Sequence, residues 1–405
     1  MKLPHTIRKD CLCSMKDNTA KLLGLEDVIV KNVYEDTESC HVELELPRRI
    51  HACPCCGALT DKIHDYRIQK IKDLPVHGKH TYLHLRKRRY VCSKCKKRFL
   101  EDNSFLPRYH RITNRMVAAI IDRFHATVSA TDIGRENNIS VSTALRYFDL
   151  VNYRCTMLPE VLSIDEFKGN ADGEKYQTIL TDAKNKKVLD ILPNRKTTDL
   201  IRYFLKFSNR KDVKYVVMDM NKDFRYVAET CFPNAKIVID KYHVSRQAIW
   251  AMENVRKTEQ KKLSSKWRKF CKHSRKLMFK SRSALTPEED EKLRIILGLS
   301  ARLERAYNLK NDFLEFMHSP DSSVGRERLS EWLYYAEKPD MPEFEACSKA
   351  MHHWSEYILN AFDCTYTNGF TEGCNNKTKV LKRACYGVRN FARFRNRILH
   401  CAARA

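Results

Sequence analysis

Five short apolar runs between residues 161 and 239, among them the two that deliver Asp165 and Asp219, constrain this chain more than anything else in it. Val161, Leu162 and Ile164 lead into Asp165, and Val213-Lys-Tyr-Val-Val-Met-Asp-Met220 presents Asp219 near its C-terminal end. Bounded runs rich in β-branched and aromatic residues read as buried strands, here Val161–Ile164 and Tyr215–Met218, with Asp165 at an exposed strand end. Tyr176–Leu180, Lys187–Leu192 and Ala235–Ile239 complete the set. Helical segments at Thr198–Phe207 and Asp223–Cys231 separate the third strand from the fourth and the fourth from the fifth.

A third acid comes much later. Thr365-Tyr-Thr-Asn-Gly-Phe-Thr-Glu-Gly-Cys-Asn-Asn-Lys377 leaves a turn signal, Asn368-Gly369, and opens a helix with Glu372 in its first turn and Thr371 or Asn368 as the cap. Three strands, then helix, strand, helix, strand and a late acidic helix, is the order of a ribonuclease-H-like α/β core. Asp165, Asp219 and Glu372 converging on one point make a cluster of hard oxygen ligands suited to Mg²⁺ or Mn²⁺. Two such ions about 3.5–4 Å apart activate a water or 3′-hydroxyl and stabilise the leaving oxygen of a phosphodiester. The plain alternative is that the aspartates only start turns and Glu372 sits on a solvated helix face.

The interval between Asp219 and Glu372 is far longer than one strand and one helix require, and its middle is helical in period. A basic helix around Val255–Lys280 precedes Thr286-Pro-Glu-Glu289, where Thr286 as N-cap and Pro287 at N1 open a long helix towards Met317. Residues 250–360 therefore read as an all-helical insertion.

Net charge is +25, concentrated in Arg86–Arg98, Arg256–Arg282 and Lys377–Arg397. Clustered excess of this kind points to a polyanionic partner, double-stranded DNA. No apolar stretch approaches the ~18 residues of a membrane span, so no membrane role is expected. The start, Met1-Lys-Leu-Pro-His-Thr-Ile-Arg8, has no apolar signal region, so the sixteen cysteines are expected in a reducing cytoplasm, near the nucleoid, free or bound to metal.

Four of those cysteines form two Cys-x-x-Cys knuckles. Cys53 and Cys56, then Cys92 and Cys95, flank strand-like stretches at Tyr66–Ile71 and His80–Tyr90, the layout of a β-rich zinc ribbon with four thiolates for tetrahedral Zn²⁺. Cys55 is a spectator, and a redox dithiol is the rival reading. A β-hairpin, Leu25–Val33 with Cys40–Leu46, leads in. The basic run Arg86, Lys87, Arg88, Arg89 is a candidate for DNA backbone contact.

From Thr113 the period becomes helical. Met116, Ile120 and Phe124 share a face; Ser129 caps a second helix with Asp132 at N3, and Ser140 caps a third segment, Val141–Tyr153. This reads as a helical helix-turn-helix domain with Thr143, Arg146 and Tyr147 on the recognition helix, although three-helix bundles without DNA are common. After Glu372, Asn376, Lys379 and Arg383 at offsets of 4, 7 and 11 share one helical face and form a second DNA grip. The resulting division is 1–50 for the hairpin region, 51–103 for the zinc ribbon and 104–157 for the helix-turn-helix. The catalytic core follows at 158–249 and 361–405, interrupted by the insertion at 250–360.

In Ser163-Ile-Asp-Glu-Phe167, Val217-Met-Asp-Met220, Ile239-Asp-Lys-Tyr-His-Val244, Thr367–Lys377 and Lys382-Arg-Ala-Cys-Tyr-Gly-Val-Arg-Asn-Phe391 the chain resembles the DDE transposases of bacterial insertion sequences, the ISL-three-type group. The resemblance runs through nearly the whole sequence. It implies a metal-binding triad at Asp165, Asp219 and Glu372 and an acid-x-x-His element at Asp240 and His243. It further implies binding of terminal inverted repeats, metal-dependent strand cleavage, strand transfer into target DNA, and a homodimer or larger assembly on DNA. A DNA-binding regulator with a non-catalytic scaffold is the alternative; a plain ribonuclease-H-type nuclease or a resolvase is a third.

Overall fold

The computed structural model describes residues 20–403, apart from 22, 26 and 108. Two compact units form: residues up to Asn152 with Ala384–Tyr386, and Tyr153–Arg383 with Gly387–Ala403.

In the first unit, β1 (Ile29–Glu35) and β2 (Ser39–Glu45) pair antiparallel, and β2 joins β6 (Lys79–Val91) in parallel. β6 forms a long hairpin with β5 (Ile63–Val76). Its loop is only His77-Gly78, both at positive φ (51° and 75°), the type I′ geometry that matches strand twist. Alternation sends Ile71, Leu83 and Leu85 to one face, where they meet Val42 and Leu44. Short strands β3 (His51–Ala52) and β4 (Leu59–Thr60) bracket the first cysteine knuckle, and β7 (Arg98–Leu100) returns from the second to pair with β6.

Three helices follow: α1 (Asn114–Arg123), α2 (Ala130–Glu136) and α3 (Val141–Phe148). Thr113 caps α1, Ser129 and Asp132 form the capping box of α2, and Ser140 caps α3. The third helix stops at Phe148, five residues before the expected end. Gly134 is required where α2 meets the turn into α3, because an added Cβ would lie 2.8 Å from Ile139 O.

The second unit contains a five-stranded sheet, ordered β10-β9-β8-β11-β12. β8 (Val161–Phe167), β9 (Gln177–Asp182) and β10 (Lys187–Leu192) are antiparallel neighbours; β11 (Tyr215–Met218) and β12 (Lys236–Ile239) run parallel to β8. α4 (Thr197–Phe204) and α5 (Lys222–Cys231) make the two crossovers. β8 is central, flanked on both sides, so its run is almost wholly buried. Asp165 is therefore within the strand rather than at an exposed end: β8 continues to Phe167, and Asp165 pairs with Ile179.

Seven helices then intervene: α6 (Lys241–Glu259), α7 (Ser265–His273), α8 (Arg275–Phe279), α9 (Pro287–Leu297), α10 (Ala301–Met317), α11 (Ser322–Ala336) and α12 (Glu345–Leu359). The basic helix expected at Val255–Lys280 is broken into the end of α6 plus α7 and α8. The helix opened by Thr286 and Pro287 ends at Leu297 and restarts after Ser300, which caps α10 through Leu303 N. Gly298 and a Ser N-cap so close together form a stop and a new start. One continuous apolar core joins these helices to the sheet, from Leu162 and Met218 to Phe313 and Trp354. α13 (Gly369–Ala384) and α14 (Phe391–Ala402) complete the unit.

Lys310 of α10 is fully buried. Its ammonium donates to Lys280 O at 2.5 Å and Asn311 Oδ1 at 3.1 Å, and burial pushes its pKa down to about 7. The unfolded chain holds that proton up to about pH 10.4. Between pH 7 and that value the unfolded state binds the extra proton, so native stability rises with pH across the window. Lys310→Met is expected to flatten the dependence of Tm on pH from 7 to 10; parallel curves for variant and parent would contradict this.

Candidate active site and metal centres

The zinc site is built by two equivalent knuckles. Gly57 N donates to Cys53 O and Cys53 N to Ala58 O; Lys96 N donates to Cys92 O and Cys92 N to Lys97 O. Gly57 and Lys96 occupy the same turn position at φ of 71° and 56°. These turns bring the four sulfurs together, Cys53 Sγ to Cys95 Sγ and Cys56 Sγ to Cys92 Sγ each at 3.5 Å, with all four within 4.8 Å of one another. Tetrahedral zinc with Zn–S near 2.3 Å requires sulfurs about 3.8 Å apart, so the donor set fits. The Cys95 N–H lies against Cys92 Sγ and helps draw that thiol down to about 6, while Cys95, despite its contact with Lys97 N, is pushed up to about 12 by burial and the neighbouring sulfurs, so the four sulfurs share their charge unevenly. Cys55 is exposed and outside the cluster.

The second cluster lies in the α/β unit. β11 ends just before Asp219, β12 just before Asp240, and α6 starts at Lys241 with His243 in its first turn. His243 Nδ1 lies 2.7 Å from Asp219 Oδ1 and 3.5 Å from Asp240 Oδ2, while Nε2 reaches Glu372 Oε1 at 3.6 Å. Asp240, His243 and Glu372 present ligand atoms within 4.8 Å of one another. Contact with Asp219, then Asp240, pushes His243 up to about 10.

Asp165 joins this group through its charge. Burial, and then the charge of Asp219, push its carboxyl up to about 7, and Glu372 is also raised, by burial and by Asp240. Crowded acids of this kind, with one histidine as cation, fit a divalent ion with hard oxygen ligands. Asp219 Oδ1 and His243 Nδ1 stand 2.7 Å apart without an aligned hydrogen bond, which leaves the Asp219 oxygen a buried lone pair for such an ion.

A polar seam missed by the sequence reading holds α13 against the sheet. Ser163 Oγ donates to Asn368 Oδ1 at 2.5 Å, Thr371 Oγ1 donates to Ser163 Oγ at 3.0 Å, and Thr181 Oγ1 lies 2.8 Å from Thr371 Oγ1. Asn368 stands directly before α13, its backbone O accepting from Glu372 N at 2.9 Å, while its side chain and that of Thr371 inside the first turn serve the seam. Asn375 Nδ2 donates to Asp165 Oδ2 at 2.7 Å. The signal was the stripe Thr371, Asn375, Thr378, all buried, which the neighbouring outward stripe of Asn376, Lys379 and Arg383 had drawn attention from. Asn375→Ala is expected to weaken divalent-metal affinity or activity about 10- to 100-fold, the scale for losing a residue that orients a ligand. A Mn²⁺ isotherm with Tm as control checks this; unchanged affinity would reduce Asn375 to packing.

Glu166 and Asp182 lie apart from the cluster's contacts. Glu166 is bound by Arg195 at 2.7 Å, and Asp182 accepts from Lys184 N and Asn185 N in the β9–β10 turn.

The expected DNA contacts divide by exposure. Arg86 is exposed, lying over Tyr66 with its guanidinium carbon 3.8 Å from the ring centroid. Lys87 is half-buried. Arg88 is a correction: it shares a strand face with the exposed Arg86 but is itself buried, donating to Leu46 O at 2.6 Å and pairing with Glu101 and Glu45. Arg89 is held by Asp65. Tyr147 is a second correction, since it packs into the three-helix core with Phe148 and Ala144. Arg146 and Thr143 keep accessible surface. Lys70, Lys72, Arg111, Tyr82 and Thr143 line a cleft of about 430 Å³ that sequence reasoning overlooked. Lys70 and Lys72 are two apart on β5 and so share a face, the signal that was available.

A net-basic chain that clamps a zinc-type knuckle pair and gathers four acids and a histidine around one sheet belongs among enzymes that act on nucleic acid. Comparison with known proteins makes this specific. The family model described as "Transposase", of the ISL-three-type DDE group, matches residues 162–398, more than half of the sequence. A second, described as a zinc-finger of transposase IS204/IS1001/IS1096/IS1165, matches residues 49–95. The chain belongs to the ISL-three-type DDE transposase family. It is 24% identical over 360 residues to the "Transposase for insertion sequence element IS1001" of Bordetella parapertussis, covering 86% of this chain and 88% of that one. Over 119 residues it is 29% identical to the "Transposase for insertion sequence element IS1557" of Mycobacterium tuberculosis, 29% of this chain and 27% of that one. A stretch of 122 residues is 33% identical to a Lactococcus lactis protein called "ATP-dependent protease", 30% of this chain and 37% of that one, a label that neither family model shares. The chain is thus a DNA-transposing enzyme with a zinc ribbon near its N-terminus. Among the described residues no helix is long and apolar enough to cross a membrane.

Proposed function

We propose that this transposase cleaves and joins DNA at the cluster of Asp165, Asp219 and Glu372, assisted by Asp240 and His243, on a ribonuclease-H-like core. The observation that carries the reading is the convergence of Asp219, Asp240 and Glu372 on His243 from three separate elements. Asp165, Asp219 and Glu372 would hold Mg²⁺ or Mn²⁺, which would supply activation of the attacking water or 3′-hydroxyl and charge stabilisation at the leaving oxygen. Asn375 fixes the Asp165 carboxylate. His243, kept charged by Asp219 and Asp240, is placed to hold a non-bridging oxygen of the scissile phosphate and to orient Glu372.

The helix-turn-helix α1–α3 reads DNA through Thr143 and Arg146, with the neighbouring cleft of Lys70, Lys72 and Arg111 gripping backbone phosphates. Arg86 of the zinc ribbon and the outward face of Asn376, Lys379 and Arg383 extend that grip. Terminal inverted repeats are the DNA recognised, and the protein works as a homodimer or larger assembly that brings two ends to target DNA. The division at 50, 103, 157, 249 and 360 separates these tasks, near the nucleoid in the cytoplasm. The test is a labelled duplex carrying the element's end. The purified chain should nick it at the end junction in Mg²⁺ and leave it intact in chelator; cleavage that ignores the junction, or none in Mg²⁺ or Mn²⁺, would sink the reading.

A further inference from the structure

The first three turns of α6 place an aromatic and cationic ladder beside the acid cluster. Tyr242, Arg246 and Trp250 follow at intervals of four, and Arg246 and Trp250 also stand three and seven residues after His243, so all lie along the cluster's side of the helix. Tyr242 is 58% exposed and Trp250 50%. Arg246 lies between them, its guanidinium carbon 5.6 Å from the Tyr242 ring centroid and 4.5 Å from that of Trp250. The Tyr242 ring packs edge-on to His243 at 5.5 Å, and the charge of Arg246 is felt at Glu372. At 1.5 Å per residue, Trp250 stands about 10 Å along the axis from His243.

An exposed tryptophan bridged to a tyrosine by arginine needs a reason, because both rings lose apolar contact to water. The acids of α6 do not oppose an anion here. Glu253 is buried and bound by Arg256 and Arg275; Glu259 is buried and bound by Lys262 and Arg302. The face is cationic and aromatic, the combination that stacks bases of an unpaired strand. A base inside a duplex has both faces covered and cannot use such a surface; one splayed out of the stack can.

We propose that Tyr242, Arg246 and Trp250 form a stacking platform for an unpaired nucleobase of the DNA strand entering the acid cluster. The inference rests on the transposase reading and adds the state of the DNA: the end is held frayed next to the cleavage point. Because every base has a π-face, the platform takes any of the four.

The test compares binding of the full chain, in Ca²⁺ to prevent cleavage, to a blunt duplex end and to the same end with three unpaired nucleotides. Parent protein should favour the frayed end. Trp250→Ala should lose that preference, on the order of 10- to 100-fold in affinity for the frayed end with little change for the blunt one. Tyr242→Ala should lose part of it, and Trp250→Phe should keep most. A 2-aminopurine in the unpaired segment should be quenched by parent and brighten with Trp250→Ala. The proposal is overturned if parent shows no preference for frayed ends, or if Trp250→Ala keeps the parental ratio. It is also overturned if the variant loses both ends equally, or if it dissociates a dimer without changing the ratio, which would make the face a protein contact. Unchanged Tm excludes misfolding. The comparison uses random as well as end sequence, so failure to prefer the inverted repeat counts against the transposase reading alone.

Discussion

Asp165→Asn, Asp219→Asn and Glu372→Gln should each lower Mg²⁺-dependent strand cleavage by about 10⁴-fold, the scale on which members of one catalytic unit fail together. DNA binding should hardly change, since removing negative charge from a site that faces phosphates does not weaken their approach. The physical reason for the large loss is geometric. The acids come from β8, from the segment after β11 and from α13, so no neighbour can replace a lost oxygen. A second effect runs opposite in sign. Asp165 is buried beside Asp219, and like charges there oppose folding, so Asp165→Asn should raise the Tm of the metal-free protein while abolishing activity. Single-turnover cleavage of a labelled end, with a mobility-shift measurement and a melting curve on the same preparations, checks all three points. Cleavage retained by any of the three variants would remove that residue from the unit.

Zinc removal should be the largest stability effect. Binding by four thiolates contributes about 10–16 kcal/mol in small zinc modules at neutral pH, as much as the whole stability of a typical domain. The knuckles tie the ends of the β5–β6 hairpin, where β3 and β4 are two residues each and cannot hold alone. Parent protein should carry one zinc per chain. Chelation or Cys92→Ser should melt the N-terminal unit at a lower temperature and abolish DNA binding, with the transition of the α/β unit retained. Cys55→Ser should do neither. Metal content by atomic emission beside a calorimetric scan decides it; a zinc-free parent with an unshifted N-terminal transition would contradict the structural role.

Elements whose local chemistry is self-contained were legible in the sequence. The caps at Ser129, Ser140 and Thr286 stand as read, because each cap is decided within four residues. Lys187–Leu192 and Tyr215–Met218 match their expected bounds, because turn residues flank them. What depended on distant packing was harder to read. Nothing local reveals that β8 would be central and carry Asp165 inside it, or that Arg88, among four consecutive basic residues on β6, would be the one buried. The acid cluster itself was visible as types and spacing. Asn375 was not, since its importance comes from a partner 210 positions away.

The central claim is that these carboxylates bind the catalytic metal directly. A cysteine in place of Asp219 tests it, because a thiolate is a poor ligand for Mg²⁺ and a better one for Mn²⁺. Cleavage by Asp219→Cys should vanish in Mg²⁺ and return in part in Mn²⁺, whereas cleavage at parental rate in Mg²⁺ would show that Asp219 does not hold the metal.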